Sequence, residues 1–333
     1  MSGRSTVRGP AAVVLAVVLG LLAGCGSGDG AAPADGTGDT RTITTDRGPL
    51  EVPADPQRIV VLSGGLAGYL YALDEPPVAA DTRVLGITGF GGGFPPAWAE
   101  PARAAGTEAL PAGEQLSVEA VAAAQPDLII GGGQGITAVQ AAQAYDRLAA
   151  IAPTVLVPRT LTGWQDQLAA VADAASAGDR VPGLLQRYRD RLQQVKDSIT
   201  PPQGETVFIA SFASGKTYVV PSTAALPALA RDAGLTPTDV VARAPGARLA
   251  STGDGLEISP ELLGTVADAP NAIVVIAGGR SLDELRRDPA YAALPAFRAG
   301  RVWELPATSY RPDLDGALGT LDEFGRIFGP AGG

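Results

Sequence analysis

The residues able to do chemistry in this chain are unevenly chosen. Its 333 positions hold one cysteine, Cys25, and no histidine. One cysteine makes no internal disulfide, and one thiolate cannot hold a structural metal alone. Without imidazole there is no Ser-His-Asp or Cys-His catalysis and no histidine metal site. Positive charge is almost all arginine, Lys196 and Lys216 being the two lysines. A planar guanidinium grips anionic oxygens in a fixed fork. Arginines at strand ends or in the loops that follow are therefore the candidate binding groups: Arg83, Arg243, Arg280 and Arg311. Tyr69, Trp98, Tyr218 and Tyr310 are the candidate aromatic walls. Trp98 closes "GFGGGFPPAW" (Gly89 to Trp98), whose glycines, prolines and aromatics suit a loop folding over a cleft.

Three other stretches resemble catalytic machinery and are better read otherwise. "SGKT" (Ser214 to Thr217) has the tail of a phosphate-binding P-loop. Ala210 stands where the first glycine belongs, and "YVV" continues as strand where a helix is required. "GGGQG" (Gly131 to Gly135) follows a strand, but Ile136 takes the last glycine position of a dinucleotide fingerprint. It reads as a permissive loop at the carboxyl edge of a sheet, where open α/β sheets bind ligands. Asp283 and Glu284 read as a polar helix start.

Cys25 closes an N-terminal address. Arg4 and Arg8 precede an apolar run, Ala11 to Ala23, too short to span a bilayer comfortably and suited to a secretory signal. The run ends in Leu22-Ala23-Gly24-Cys25, which resembles the bacterial lipobox, whose cysteine takes a diacylglycerol after cleavage just before it. Residues 1–24 are expected to be the signal peptide, Cys25 the lipidation site, and the small, polar residues 25–40 a flexible tether. Losing residues 1–24 removes Arg4 and Arg8 and moves the formal charge from −10 to −12. So acidic a chain is a poor candidate for binding nucleic acid.

The elements that must position these side chains follow from periodicity. "RTITTDRGPLEVP" (Arg41 to Pro53) alternates around an Asp-Arg-Gly turn and predicts a β-hairpin. "RIVVL" (Arg58 to Leu62), "VLGIT" (from Val84), "DLIIG" (Asp127 to Gly131) and "TVLVP" (from Thr154) predict buried strands, with helical stretches between them. A second series, "TVFIAS", "TYVVP", "AIVVIAG" and "RVWEL", follows residue 200. Alternation of this kind argues for parallel α/β sheets. Between the series, Val181, Leu184, Leu185, Tyr188, Leu192, Val195 and Ile199 keep three-four spacing, which predicts one long amphipathic helix. Pro182 suits its first turn and Asp179 its cap. The expected architecture is two Rossmann-like α/β lobes bridged by that helix: lobe 41–163, bridging segment 164–200, lobe 201–333.

At this point the sequence resembles a family, the substrate-binding lipoproteins of bacterial ABC importers for ferric siderophores, haem and cobalamin. The resemblance covers almost the whole mature chain. It rests on "PQRIVVL" at Pro56, "LSVEAVAAAQPDLIIG" at Leu116, "IAPTVLV" at Ile151, "ISPELLGTVADAPNAIVVI" at Ile258 and "LPAFRAGRVWEL" at Leu294, in the family's order. It implies a class III periplasmic-binding-protein fold, with a ligand held between lobes whose hinge motion the helix limits. It also implies an ABC permease as partner. Glu119 and Glu261 occupy matching positions after a serine in the two halves. Locally, each is explained as a first-turn carboxylate favoured by the helix dipole. In related binding proteins the glutamate at this position docks on permease arginines, so the resemblance implies that role for both.

Among the ligands of such a family, a ferric siderophore is favoured over haem or cobalamin. Haem binding often leans on histidine, although a tyrosinate such as Tyr69 or Tyr71 could substitute. Importers of bare zinc or manganese use histidine-rich sites, which this chain cannot build. A siderophore saturates its own iron, so no cofactor and no protein metal site is expected, and iron enters only inside the chelate. The expected protein is a lipid-anchored monomer on the outer face of the membrane, without enzymatic activity. An anchored hydrolase using an Asp or Glu base, or an anchored sensor, remains the alternative.

Overall fold

The computed structural model describes residues 39–330, apart from 88, 91, 92, 246, 248 and 251–253. The expected signal segment 1–24, Cys25 and the tether through residue 38 lie outside the described residues. Thr40, read above as the tether's last residue, already opens strand β1 (Thr40–Thr45). Its partner is β2 (Gly48–Pro53), antiparallel around the Asp46–Arg47 turn.

The first lobe is a parallel sheet of β3 (Ile59–Val61), β4 (Ala79–Ala80), β5 (Glu108–Ala109), β6 (Leu128–Gly132) and β7 (Thr154–Val157), in the order β5-β4-β3-β6-β7. The second holds β8 (Glu205–Phe212), β9 (Thr217–Val219), β10 (Thr236–Pro237), β11 (Leu256–Ile258), β12 (Asn271–Ala277) and β13 (Val302–Leu305). Its order is β11-β9-β8-β12-β13, with β10 beside β8. Here the sheet is mixed, because β9 runs antiparallel to both β8 and β11. The short link between β8 and β9 permits only a hairpin, since a parallel return needs a crossover of a dozen residues or more. "VLGIT" is not a strand either. Val84 and Ile87 exchange backbone bonds of 3.2 and 2.9 Å across Leu85 and Gly86, both at positive φ, while Thr88 lies outside the described residues. The strand at this place is β4, two alanines too short to leave a periodic signal.

Both sheets are buried on both faces, as continuous apolar strands require. Val60, Leu62 and Ile129 pack outward in one cluster, Val207, Ile209 and Val274 in another. The alternate residues Ile59, Val61, Phe208 and Ile273 share a third cluster that runs from one lobe to the other. The helix Trp164–Ala174 contributes to this shared core and Val181–Ser198 packs one face against it, with Trp164 edge-on to Tyr188 at 4.8 Å. Asp179 does not cap the bridging helix. It belongs to the 3-10 turn Gly178–Arg180 that leads into it, and the cap position is Arg180.

The final helix, Leu314–Phe328, lies along the bridging helix, joined to it by Arg187–Asp315 at 2.9 Å and Arg191–Asp322 at 2.6 Å. Its cap, Asp313, accepts from the Gly316 N–H at 2.8 Å. The same carboxylate presses on the first lobe's helix Gly64–Ala72: a Cβ on Gly68 would stand 1.7 Å from Asp313 Oδ2. One residue on, the Tyr69 hydroxyl donates to Pro312 O at 3.3 Å. The lobes therefore meet a second time, behind the cleft.

Burial at this contact raises the Asp313 carboxyl to about 6. A group whose folded pKa is raised contributes stability that is complete below its unfolded pKa, near 3.8, and is lost as pH rises through about 6. Wild type is thus expected to lose on the order of 2 kcal/mol, relative to Asp313→Asn, between pH 4 and pH 7. Urea unfolding of both proteins at the two pH values checks this; parallel pH profiles would contradict it.

Candidate functional site

In the first lobe the chain runs outward from β3 to β4 and β5, then returns to β6 on the other side of β3. Such a reversal opens a crevice at the carboxyl ends of the two strands. The helices that follow β3 and β6 both begin there, behind Ser63 and behind Gly135. Neither start is capped by a side chain. Gly135 sits at φ +96, where a side chain is strained, and the Thr137 hydroxyl donates to Ser63 Oγ at 3.4 Å.

This crevice forms one wall of a cavity of about 260 Å³ between the lobes. Its first-lobe wall is Ser63, the turn Val84–Gly86, and the run Gln134–Thr137. Facing it from the second lobe are Phe212, Tyr218, Asp254, Tyr310 and Arg311. Phe212 organises the aromatics, meeting Tyr218 at 5.4 Å and Tyr310 at 5.1 Å, both edge-on. The Tyr310 hydroxyl donates to Asp254 O at 2.9 Å, and burial pushes its phenol well above the ordinary range.

Two arginines reach the cavity and they are held differently. Arg83 is 6% exposed and held through all three nitrogens: Nη2 meets Asp81 Oδ2 at 2.5 Å, Nε meets Oδ1 at 3.0 Å, and Nη1 donates to Gly113 O at 3.1 Å. It is a rigid wall. Arg311 uses only one edge, Nε and Nη2, to fork onto the Asp254 carboxylate. Its Nη1 points across the cleft, 3.4 Å from where a Cβ on Gly135 would stand. That guanidinium arm is placed to grip an anionic oxygen, and the paired carboxylate fixes its aim.

Four other sequence candidates lie elsewhere, each for a local reason. Tyr69 is 1% exposed, and its hydroxyl donates to Pro312 O just before the final helix and to Gln167 Oε1 on the helix Trp164–Ala174. Trp98 is 2% exposed; its indole N–H donates to Gly64 O at 3.1 Å, and it stacks on Tyr71 at 5.7 Å. Arg243 pairs with Glu205 at the start of β8, the end away from the cleft. Arg280 follows β12 but is drawn aside by Asp288 at 2.5 Å and by the Tyr291 ring. Tyr71 is also occupied, its hydroxyl bonded to Thr107 Oγ1 at 2.9 Å. Burial raises the phenols of both Tyr69 and Tyr71, and neither lines the interlobe cavity. The side chains that sequence reading missed, Phe212, Asp254 and Gln167, end a strand or come from segments with no motif. For Phe212 the one available signal was an aromatic at the carboxyl end of a buried strand.

Glu119 and Glu261 are exposed and occupy the same position, second in the helices Val118–Ala123 and Pro260–Val266. Each helix leads into a central parallel strand, so both acids stand at the cleft-side ends of their lobes. Ser117 Oγ donates to Glu119 at 3.3 Å, and a hydrogen bond from Ser259 holds the Glu261 carboxyl below its ordinary range.

The ferric enterobactin-binding periplasmic protein FepB of Escherichia coli O6:H1 is 27% identical over 295 residues, covering 86% of this chain and 91% of FepB. The probable siderophore-binding lipoprotein YfiY of Bacillus subtilis is 29% identical over 60% of this chain and 58% of its own. The crystal structure of holo-ViuP superposes with a TM-score of 0.75 at 23% identity, over 87% of this chain and 95% of that one. A family profile for periplasmic binding proteins matches residues 59–308, from β3 to just short of Tyr310 and Arg311, and the chain belongs to that periplasmic binding protein family.

Proposed function

We infer that this protein is an extracytoplasmic binding protein that holds a ferric siderophore between its lobes and delivers it to an ABC permease. The observation that carries this reading is the Arg311 fork: one edge fixed on Asp254, the other open to a cleft walled by Phe212, Tyr218 and Tyr310. A guanidinium and aromatic rings suit the anionic oxygens and flat ligand arms of an iron chelate. FepB and YfiY, whose names describe siderophore binding, support it. A hydrolase would need a base poised on a nucleophile, whereas the cleft carboxylate Asp254 is engaged by arginine. Titrating the purified protein with ferric catecholates, ferric hydroxamates, haem and cobalamin, followed by intrinsic fluorescence, tests the reading. Saturable quenching by a ferric chelate supports it; a response to haem or cobalamin alone would overturn it.

Cys25 is the anchor in this reading, and YfiY is described as a lipoprotein. Cys25→Ser is expected to move the protein from the membrane to the soluble fraction with its melting temperature unchanged, as fractionation and blotting would show. Glu119 and Glu261 are the docking contacts, one per lobe, so that the permease reads both lobes at once. Exposed charges of this kind act mainly on encounter and orientation. Glu119→Arg combined with Glu261→Arg is expected to abolish uptake of labelled chelate while Kd stays at the wild-type value. Normal uptake would return both acids to a helix-start role.

A further inference from the structure

The turn that enters the interlobe cavity from the first lobe is strained. Val84 and Ile87 exchange backbone hydrogen bonds around Leu85 and Gly86, which stand at φ +53 and +81. Positive φ at both central positions marks a tight hairpin turn, ordinarily built with asparagine, aspartate or glycine. Gly86 meets it freely, whereas Leu85 carries a bulky side chain into the left-handed region. Strain of this kind persists where the surroundings over-determine it, and it gathers at ligand sites.

The turn is held on both sides. At its root, a Cβ on Gly64 would stand 2.7 Å from Val84 Cγ2 and 2.9 Å from Arg83 O. Beyond its tip, Ile87 reaches the second lobe: a Cβ on Gly278, just after β12, would lie 3.7 Å from Ile87 Cγ1. Held in this way, the turn brings Leu85 to the cavity, half-buried and packed against the shared core. Ile136 lines the same cavity from the start of the helix Ile136–Gln143, and it is 56% exposed. Its apolar surface stands open to water, and covering it with a ligand is favourable.

We propose that Leu85 and Ile136 are specificity-determining residues of the interlobe site, an assignment that rests on the chelate-binding function inferred above. They form an apolar jaw on the first lobe for the hydrocarbon frame of a ferric chelate, whose anionic oxygens face Arg311. The jaw favours chelates with such a frame over purely polar ones.

Fluorescence titration with ferric enterobactin, ferrichrome and ferric citrate tests this, since the first two carry a hydrocarbon frame that citrate lacks. Wild type is expected to bind a framed chelate about tenfold or more tightly than ferric citrate. Asparagine tolerates the left-handed turn, so Leu85→Asn should hold or raise melting temperature while weakening the framed chelate about tenfold. Ile136→Gln should act in the same direction at unchanged melting temperature, because that side chain is exposed. Neither change should weaken ferric citrate, so the preference narrows. Leu85→Met, apolar and equally strained, should bind as wild type does. Unchanged affinity in both Leu85→Asn and Ile136→Gln, or equal losses for all three chelates, would overturn the proposal. So would a lowered melting temperature in Leu85→Asn, which would make the leucine a packing residue. A wild type without preference for a framed chelate would overturn the jaw and leave the function standing. A wild type that binds none of the three would refute the function, and the jaw with it.

Discussion

Replacing Arg311 with alanine is expected to weaken ferric-chelate binding by roughly 30-fold or more. Two losses add. The open Nη1 arm disappears, and a charge-assisted hydrogen bond is worth about 1.5–3 kcal/mol. Asp254, only 4% exposed, then loses the guanidinium fork and faces an anionic ligand. At about 1.4 kcal/mol per decade, the lost arm by itself is roughly 10- to 140-fold in Kd, and repulsion of the ligand by Asp254 adds to it. Asp254→Asn separates the two losses: it keeps the shape and removes the carboxylate charge, so Arg311→Ala with Asp254→Asn should recover part of the affinity. Fluorescence titration of the three variants reads this directly. A Kd for Arg311→Ala within threefold of wild type would remove Arg311 from the site.

Gly68→Ala is expected to destabilise the contact between the first lobe and the final helix. Its Cβ would stand 1.7 Å from Asp313 Oδ2 and 2.8 Å from Cγ, so something must move. Asp313 can swing out and uncap the final helix, at about 0.5–2 kcal/mol. The two helices can instead part, with an overpacking cost of about 1–3 kcal/mol. Either way a loss of about 0.5–3 kcal/mol is expected, visible as a fall in melting temperature of up to roughly 9 °C. Asp313→Ser keeps a capping oxygen on a shorter side chain, so combining it with Gly68→Ala should restore much of the loss. The signature is a coupling between the two changes. Simple additivity, or an unaltered melting temperature for Gly68→Ala, would show that this interlobe contact does not constrain the helices.

The Gly68–Asp313 contact also shows where sequence reading stops. A glycine inside an apolar helix carries no sign of its partner, 245 positions away in the same chain. Apolar spacing placed a bridging helix between the lobes. The second junction, made by the final helix, became visible only once both lobes were packed.

What the sequence by itself determined is what short-range periodicity carries. Continuous apolar runs marked β3, β6, β8 and β12, since a strand covered on both faces has no polar side to interrupt it. Three-four spacing marked the bridging helix, and Tyr188 and Val195 are its buried positions. The "GGGQG" loop was legible as a ligand-facing edge from its place after a strand. Which arginines face the ligand was not. Arg280 and Arg311 both follow second-lobe strands, and local sequence treats them alike. In the folded chain Asp288 draws Arg280 aside, while Asp254, 57 positions back along the chain, aims Arg311 across the cleft. Backbone periodicity is set by neighbours within a few residues. The direction of a long charged side chain is set by whichever carboxylate the fold brings beside it, and only tertiary structure decides that.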